Sequence, residues 1–96
     1  MIRHICMFAL QDEDHDNVVA QALQLGEPLK TLPQAVKGEV VTNSPLAPSS
    51  NYDICLVFDF ETMADLDAYQ VDPIHLAFKN YVVAHMKSRA CIDCEI

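Results

Sequence analysis

The chain has 96 residues, enough for one domain and too few for two. Fourteen Asp and Glu against six Lys and Arg give a net charge of −8 with the four histidines neutral, which argues against sequence-independent binding to nucleic acid or to an anionic membrane surface. Hydrophobic residues make up 51% of the chain, with two glycines and no tryptophan, so a disordered, collagenous or low-complexity chain is excluded in favour of a folded domain.

Residues 2–10 are almost continuously apolar, broken only by Arg3 and His4, which predicts a strand buried on both faces. Alternation places His4, Cys6, Phe8 and Leu10 on one face and Arg3, Ile5, Met7 and Ala9 on the other. The opening run lacks the basic, apolar and small-residue order of a secretory leader. No apolar stretch approaches the roughly 18 to 20 residues of a membrane span, and a cytoplasmic location is the expectation. Asp12-Glu13-Asp14-His15-Asp16 then supplies cap candidates and favourable charge for a helix start, with His15 expected in solvent. Val18, Ala22, Leu25, Leu29, Leu32 and Val36 recur every three or four residues. They predict an amphipathic helix to about Leu25, a break at Gly26 and a short helical turn from about Pro28 to Leu32.

Val36 to Asn43 reads as a second strand, Ser44 to Asn51 as a loop by its Pro, Ser and Asn content, and Tyr52 to Phe60 as a third strand, apolar on both parities. Thr62-Met63-Ala64-Asp65 starts a second helix, with capping-box-like spacing, that runs to about Gln70. Asp72-Pro73 starts a third, with Asp72 as cap and proline at the first helical position. Its apolar stripe is Ile74, Ala77, Phe78, Tyr81, His85 and Met86, ending at about Ser88, and Ala90 to Ile96 forms the last strand.

The order strand, helix, strand, strand, helix pair, strand predicts one α+β domain over residues 1–96. It is a ferredoxin-like protomer with a four-stranded antiparallel sheet and helices on one face. Helices cover only one face, whereas the central strands are apolar on both, so the second face needs another cover. A second copy is the simplest one, and two sheets packed face to face make a homodimer, a dimeric α+β barrel with a small-molecule cavity.

Cys6, Cys55, Cys91 and Cys94 are expected as unpaired, small apolar residues in a reducing compartment. Cys91-Ile92-Asp93-Cys94 has C-x-x-C spacing but lies in a strand-like run rather than at a helix N-terminus. In a strand, residues three apart point to opposite faces with Cα atoms roughly 10 Å apart, beyond disulfide reach. No H-x-x-x-H or paired C-x-x-C spacing is present, and no metal or cofactor is expected.

Tyr69-Gln70-Val71-Asp72-Pro73-Ile74-His75 sets a phenol, a carboxylate and an imidazole around a helix start. With Asp72 at the cap, His75 falls where the helix dipole disfavours imidazolium. The Asp72 carboxylate favours it, and the sequence leaves the balance open. The structural alternative has Asp72 only capping, His75 partly exposed in the first turn and Tyr69 packing beneath. His4, in an apolar strand, needs a buried hydrogen-bond partner or a polar pocket. His85 and Asp93 read as satisfied core or rim groups.

Four segments carry a family resemblance: Met1-Ile2-Arg3-His4-Ile5, Val57-Phe58-Asp59-Phe60, Tyr69-x-x-x-Pro73-x-His75 and Ile92-Asp93-Cys94-Glu95-Ile96. Across essentially the whole chain they resemble the stress-responsive dimeric α/β-barrel, or Dabb, family. The family's helix junction commonly reads Tyr-x-x-His-Pro-x-His, and Asp72 stands where the first of those histidines usually is. The resemblance implies a ferredoxin-like protomer, a face-to-face homodimer and a pocket between sheet and helices. By analogy with the family's plant polyketide cyclase, it implies Tyr69 as substrate anchor and His75 as general base, with His4 lining the same pocket, in cofactor-free aldol chemistry on a carbonyl compound. Phe8, Asp72, Phe78 and Tyr81 are the expected pocket walls, and the expected ligand is a small neutral or weakly polar molecule. Two other functions stand beside this one: a non-catalytic small-molecule-binding or stress-response dimer, and a cofactor-free oxygenase.

Overall fold

A computed structural model describes residues 1–96. The chain runs β1 (Ile2–Leu10), α1 (His15–Gly26), a 3-10 turn (Glu27–Thr31), β2 (Lys37–Thr42), β3 (Ile54–Phe60), α2 (Met63–Gln70), α3 (Pro73–His85) and β4 (Met86–Glu95). The four strands form one sheet in the order β2-β3-β1-β4, every neighbour antiparallel. This is the ferredoxin-like α+β protomer. No helix is long and apolar enough to cross a membrane.

The core lies between one sheet face and the helices. In β1, His4, Cys6, Phe8 and Leu10 are buried, and the register sets the first three opposite Phe58, Leu56 and Ile54 of β3. Val18 and Ala22 of α1, Leu66 and Tyr69 of α2, and Phe78 and Val82 of α3 close over them. Gly38 of β2 stands opposite the fully buried Phe58, and any Cβ at Gly38 would collide with that ring. On the other sheet face no helix lies. Ile5, Met7 and Val57 are half-buried there, and Val41 and Ile92 are 46% and 60% exposed. At one end of that face Arg3 makes two hydrogen bonds to its register partner Asp59, at 2.8 and 3.0 Å. That guanidinium holds the Asp59 carboxyl below its usual range.

Three local departures from the sequence reading have physical causes. At the start of α1, Asp14 takes a left-handed conformation (φ 54°) and its side chain caps nothing. His15 is half-buried instead of solvated, because its Nε2 donates to Asp53 Oδ1 at 2.9 Å while Leu10 N donates to Asp53 Oδ2 at 2.7 Å. Next, α3 stops at His85 and β4 begins at once, since Met86 and Ser88 already pair with Leu10 and Ala9 of β1. Gln11 N donates to His85 O at 2.8 Å and ties that junction to the end of β1. Finally, the buried side of α3 is His75, Phe78 and Val82, whereas Ile74 is 39% exposed. The packing face is rotated from the expected stripe, and the rotation carries His75 inward.

The cysteines require a correction. Cys6 and Cys91 are register partners on β1 and β4, their Cα atoms are 4.1 Å apart, and they form a disulfide. Directly opposed positions bring two side chains together on one face, a pairing that the spacing along one strand does not reveal. With this bond present, the cysteines no longer argue for a reducing compartment. Cys55 and Cys94 are free. Cys94 faces away from Cys91, as strand alternation requires, and its thiol donates to the Arg3 carbonyl at 3.7 Å.

Candidate functional site

Two elements of the fold deliver titratable groups to the same place. The first is the β1–β4 pair. His4 is 5% exposed in the core-facing row of β1, and its register partner on β4 is Asp93. The His4 Nδ1–H donates to Asp93 Oδ1, which leaves Nε2 as the free position of the ring. His4 therefore has both the partner and the polar pocket that were posed as alternatives. Asp93 is a satisfied group at the rim, as expected, and its partner is the His4 imidazole.

The second element is the junction of α2 and α3. Asp72 caps α3 as expected, its Oδ1 accepting from Ile74 N at 2.9 Å, and its Oδ2 accepts from Gln34 Nε2 at 3.3 Å. Proline at the first helical position then fixes the phase that brings His75 under the helix, only 9% exposed. Tyr69, in the last turn of α2, is fully buried between Phe58 and Phe60, with ring centroids 5.3 and 5.0 Å away. Its ring lies 4.7 Å from that of His75 and 6.3 Å from that of His4. Neither the Tyr69 hydroxyl nor His75 Nδ1 has a hydrogen-bond partner, although both atoms are buried. Gln34 Oε1, on the residue that donates to Asp72, is a third such atom, whereas native structures pair more than nine in ten buried polar groups.

The electrostatics follow from burial. Desolvation lowers the His75 pKa, the Gln70 backbone carbonyl partly offsets it, and His4 and Lys79 push in the lowering direction against Asp72. The balance left open by the sequence, between helix dipole and Asp72, is thus decided by loss of water. His75 is neutral at pH 7 and able to accept a proton. Burial also pushes the Tyr69 phenol well above its usual range, so its hydroxyl remains a hydrogen-bond donor.

A cavity of about 260 Å³ opens beside these groups. His4, Gln70, His75, Lys79, Arg89 and Asp93 line it, with Cys6 and Cys91 between them. A larger cavity, about 520 Å³, lies by the β2–β3 loop, but it has no His, Asp, Glu, Lys or Arg in its lining. A third, of about 310 Å³, has His15, Asp16 and Asp53 in its lining, and only the smallest brings expected site residues, His4 and His75, together.

Of the expected site residues, His4 and His75 share this cavity, and Tyr69 is buried behind them rather than on the lining. The expected walls lie elsewhere. Phe8 and Phe78 pack on each other in the core at 5.8 Å, Tyr81 stacks on His85 at 4.2 Å, and Asp72 is engaged in capping. Gln70, Lys79, Arg89 and the pairing of Asp93 with His4 escaped the sequence reading. Lys79 alone had a local signal, since it follows His75 by one helical turn.

The model of the stress responsive A/B barrel domain matches residues 2–96. No curated protein matches the sequence. Among solved structures, a dimeric ferredoxin-like protein of unknown function from Bacteroides fragilis is 26% identical, with 99% of this chain and 95% of that one covered and a TM-score of 0.84. A dimeric ferredoxin-like protein of unknown function from Thermobifida fusca is 25% identical, with 99% and 90% covered and a TM-score of 0.86. The hydroxynitrile lyase of Passiflora edulis is 16% identical, with 99% and 92% covered and a TM-score of 0.80, a likeness of fold alone. A family model spanning all but the first residue, on a sheet and helix order of the same kind, shows that the chain belongs to the stress responsive A/B barrel domain family.

Proposed function

We propose that the protein is a homodimeric small-molecule-binding protein whose cavity carries out cofactor-free proton transfer next to a carbonyl, the opening step of lyase or cyclase chemistry. The observation that carries this reading is the pair of buried, unpartnered groups, the Tyr69 hydroxyl and His75 Nδ1, in rings 4.7 Å apart. In the step itself, the neutral His75 imidazole takes a proton from carbon. The C–H electron pair moves into an enolate, and the Tyr69 hydroxyl donates to the enolate oxygen as charge develops there. The His4–Asp93 pair keeps a second imidazole at the same cavity.

The apolar sheet face without helices supports pairing with a second copy, as do the Bacteroides and Thermobifida neighbours, which are described as dimeric. The hydroxynitrile lyase shows that this fold accommodates lyase chemistry elsewhere. Tyr69 lies behind His75 rather than on the cavity lining, which favours a second reading, binding without turnover. Deuterium incorporation at the α-carbon of small ketones in D2O separates the two. The wild type accelerates it and His75→Gln does not if proton transfer is the function; binding at the buffer exchange rate supports the second reading.

A further inference from the structure

Four of the six Lys and Arg side chains have carboxylate partners: Arg3 and Lys37 meet Asp59, Lys30 meets Glu27 and Lys87 meets Asp12. Lys79 and Arg89 have none, and both line the cavity that holds His4 and His75. In a chain of net charge −8, cations without a partner are the exception. The one carboxylate in the cavity lining, Asp93, is already engaged by His4. Lys79 sits one turn beyond His75 on α3. Arg89 lies four residues from Asp93 on β4, roughly 13 Å along an extended strand, with Cys91 between them. The cavity thus has two imidazoles, His4 and His75, and two cations, Lys79 and Arg89, in its lining.

We infer that the cavity binds a small oxo-acid, with Arg89 and Lys79 holding its carboxylate and the carbonyl placed at His75. The inference rests on the proton-transfer reading and names its substrate class. The guanidinium fork of Arg89 matches a carboxylate in two hydrogen bonds, and the Lys79 ammonium adds a second charge. The net charge pointed to a neutral ligand because it describes the whole surface; inside a cavity, groups within one Debye length, ~8 Å, set the selection. A volume of about 260 Å³ is below the roughly 300 to 1,000 Å³ of drug-sized sites and restricts the ligand to a small acid.

The test is an NMR titration of the full chain with 4-oxopentanoate and with its methyl ester, on the wild type, Arg89→Lys and the double variant Lys79→Ala, Arg89→Ala. Both side chains are exposed, so the variants are expected to fold. The acid should bind at least about tenfold more tightly than the ester. The double variant should bind acid and ester alike, and Arg89→Lys should keep part of the margin. Equal wild-type affinities, or a margin that survives in the double variant, would overturn the oxo-acid site and leave the proton-transfer reading standing. An acid preference without α-deuterium exchange keeps the anion site and overturns proton transfer. If neither probe shifts the His75 and Gln70 resonances, both fail.

Discussion

Tyr69 and His75 hold their rings 4.7 Å apart beneath the α2–α3 junction, each with a buried polar atom that no protein group satisfies. Burying such atoms costs free energy, on the order of 1 to 3 kcal/mol each. Under the proposed function, an occupant of the site offsets that cost. Tyr69→Phe removes one orphan and should therefore raise stability or leave it unchanged, as read by urea unfolding, while weakening any ligand that accepts from the hydroxyl. A loss of more than about 1 kcal/mol would show that the hydroxyl has a structural partner after all.

The His4–Asp93 pair behaves in the opposite sense. His4 is 5% exposed and depends on Asp93 for its Nδ1–H acceptor. Asp93→Ala should cost about 1 to 3 kcal/mol in urea unfolding, because a buried donor is left unpaired. Asp93→Asn keeps a carbonyl acceptor and should recover much of that. Equal costs for the two variants would show that the carboxylate charge, not the hydrogen bond, is what His4 requires.

Asp72 illustrates how a local motif can be read directly. Its capping role was legible from Asp-Pro alone, since both residues favour those positions for local reasons. Asp72→Ala should cost about 0.5 to 2 kcal/mol, and Asp72→Ser much less. An unchanged unfolding curve for the alanine variant would contradict the Ile74 N to Asp72 Oδ1 bond.

The cysteine pairing has a simple chemical readout. Denatured but unreduced protein should titrate two thiols, Cys55 and Cys94, and reduced protein four. Four thiols before reduction would remove the Cys6–Cys91 bond from the account.

The uncovered sheet face predicts a dimer. Light scattering at micromolar concentration should give twice the 10.7 kDa chain mass, and Ile92→Asp, which puts a charge at a 60% exposed apolar position, should shift the protein toward monomer. A wild type that scatters at 10.7 kDa would leave the apolar face without its proposed cover.

The two-faced apolarity of residues 2–10 was enough to reach a sheet whose helices cover one side, because strand alternation is a local property. The His4–Asp93 and Cys6–Cys91 pairs were not legible. They join residues 89 and 85 positions apart, and only the strand register brings them together. The phase of α3 was misjudged for a related reason. Ile74, Ala77, Phe78, Tyr81, His85 and Met86 made a plausible stripe, of which Phe78 alone belongs to the buried row His75, Phe78 and Val82. Packing over Tyr69 turned His75 inward. The two cations of the cavity were hidden too, since Lys79 and Arg89 come from different elements and read singly as surface charges.

Every functional step above depends on His75 being neutral at physiological pH, and titrating its ring by NMR tests that most directly. Burial lowers its folded pKa from 6.5, so the unfolded chain takes up the proton first. Its contribution to stability is complete above pH 6.5 and is lost as pH falls toward and through the lowered folded value. The predicted result is a His75 midpoint below 6.5 together with an unfolding free energy that declines with acidification in that window, a decline blunted in His75→Gln. A His75 midpoint at or above 6.5 would place a charged imidazole beside Tyr69 and contradict the account.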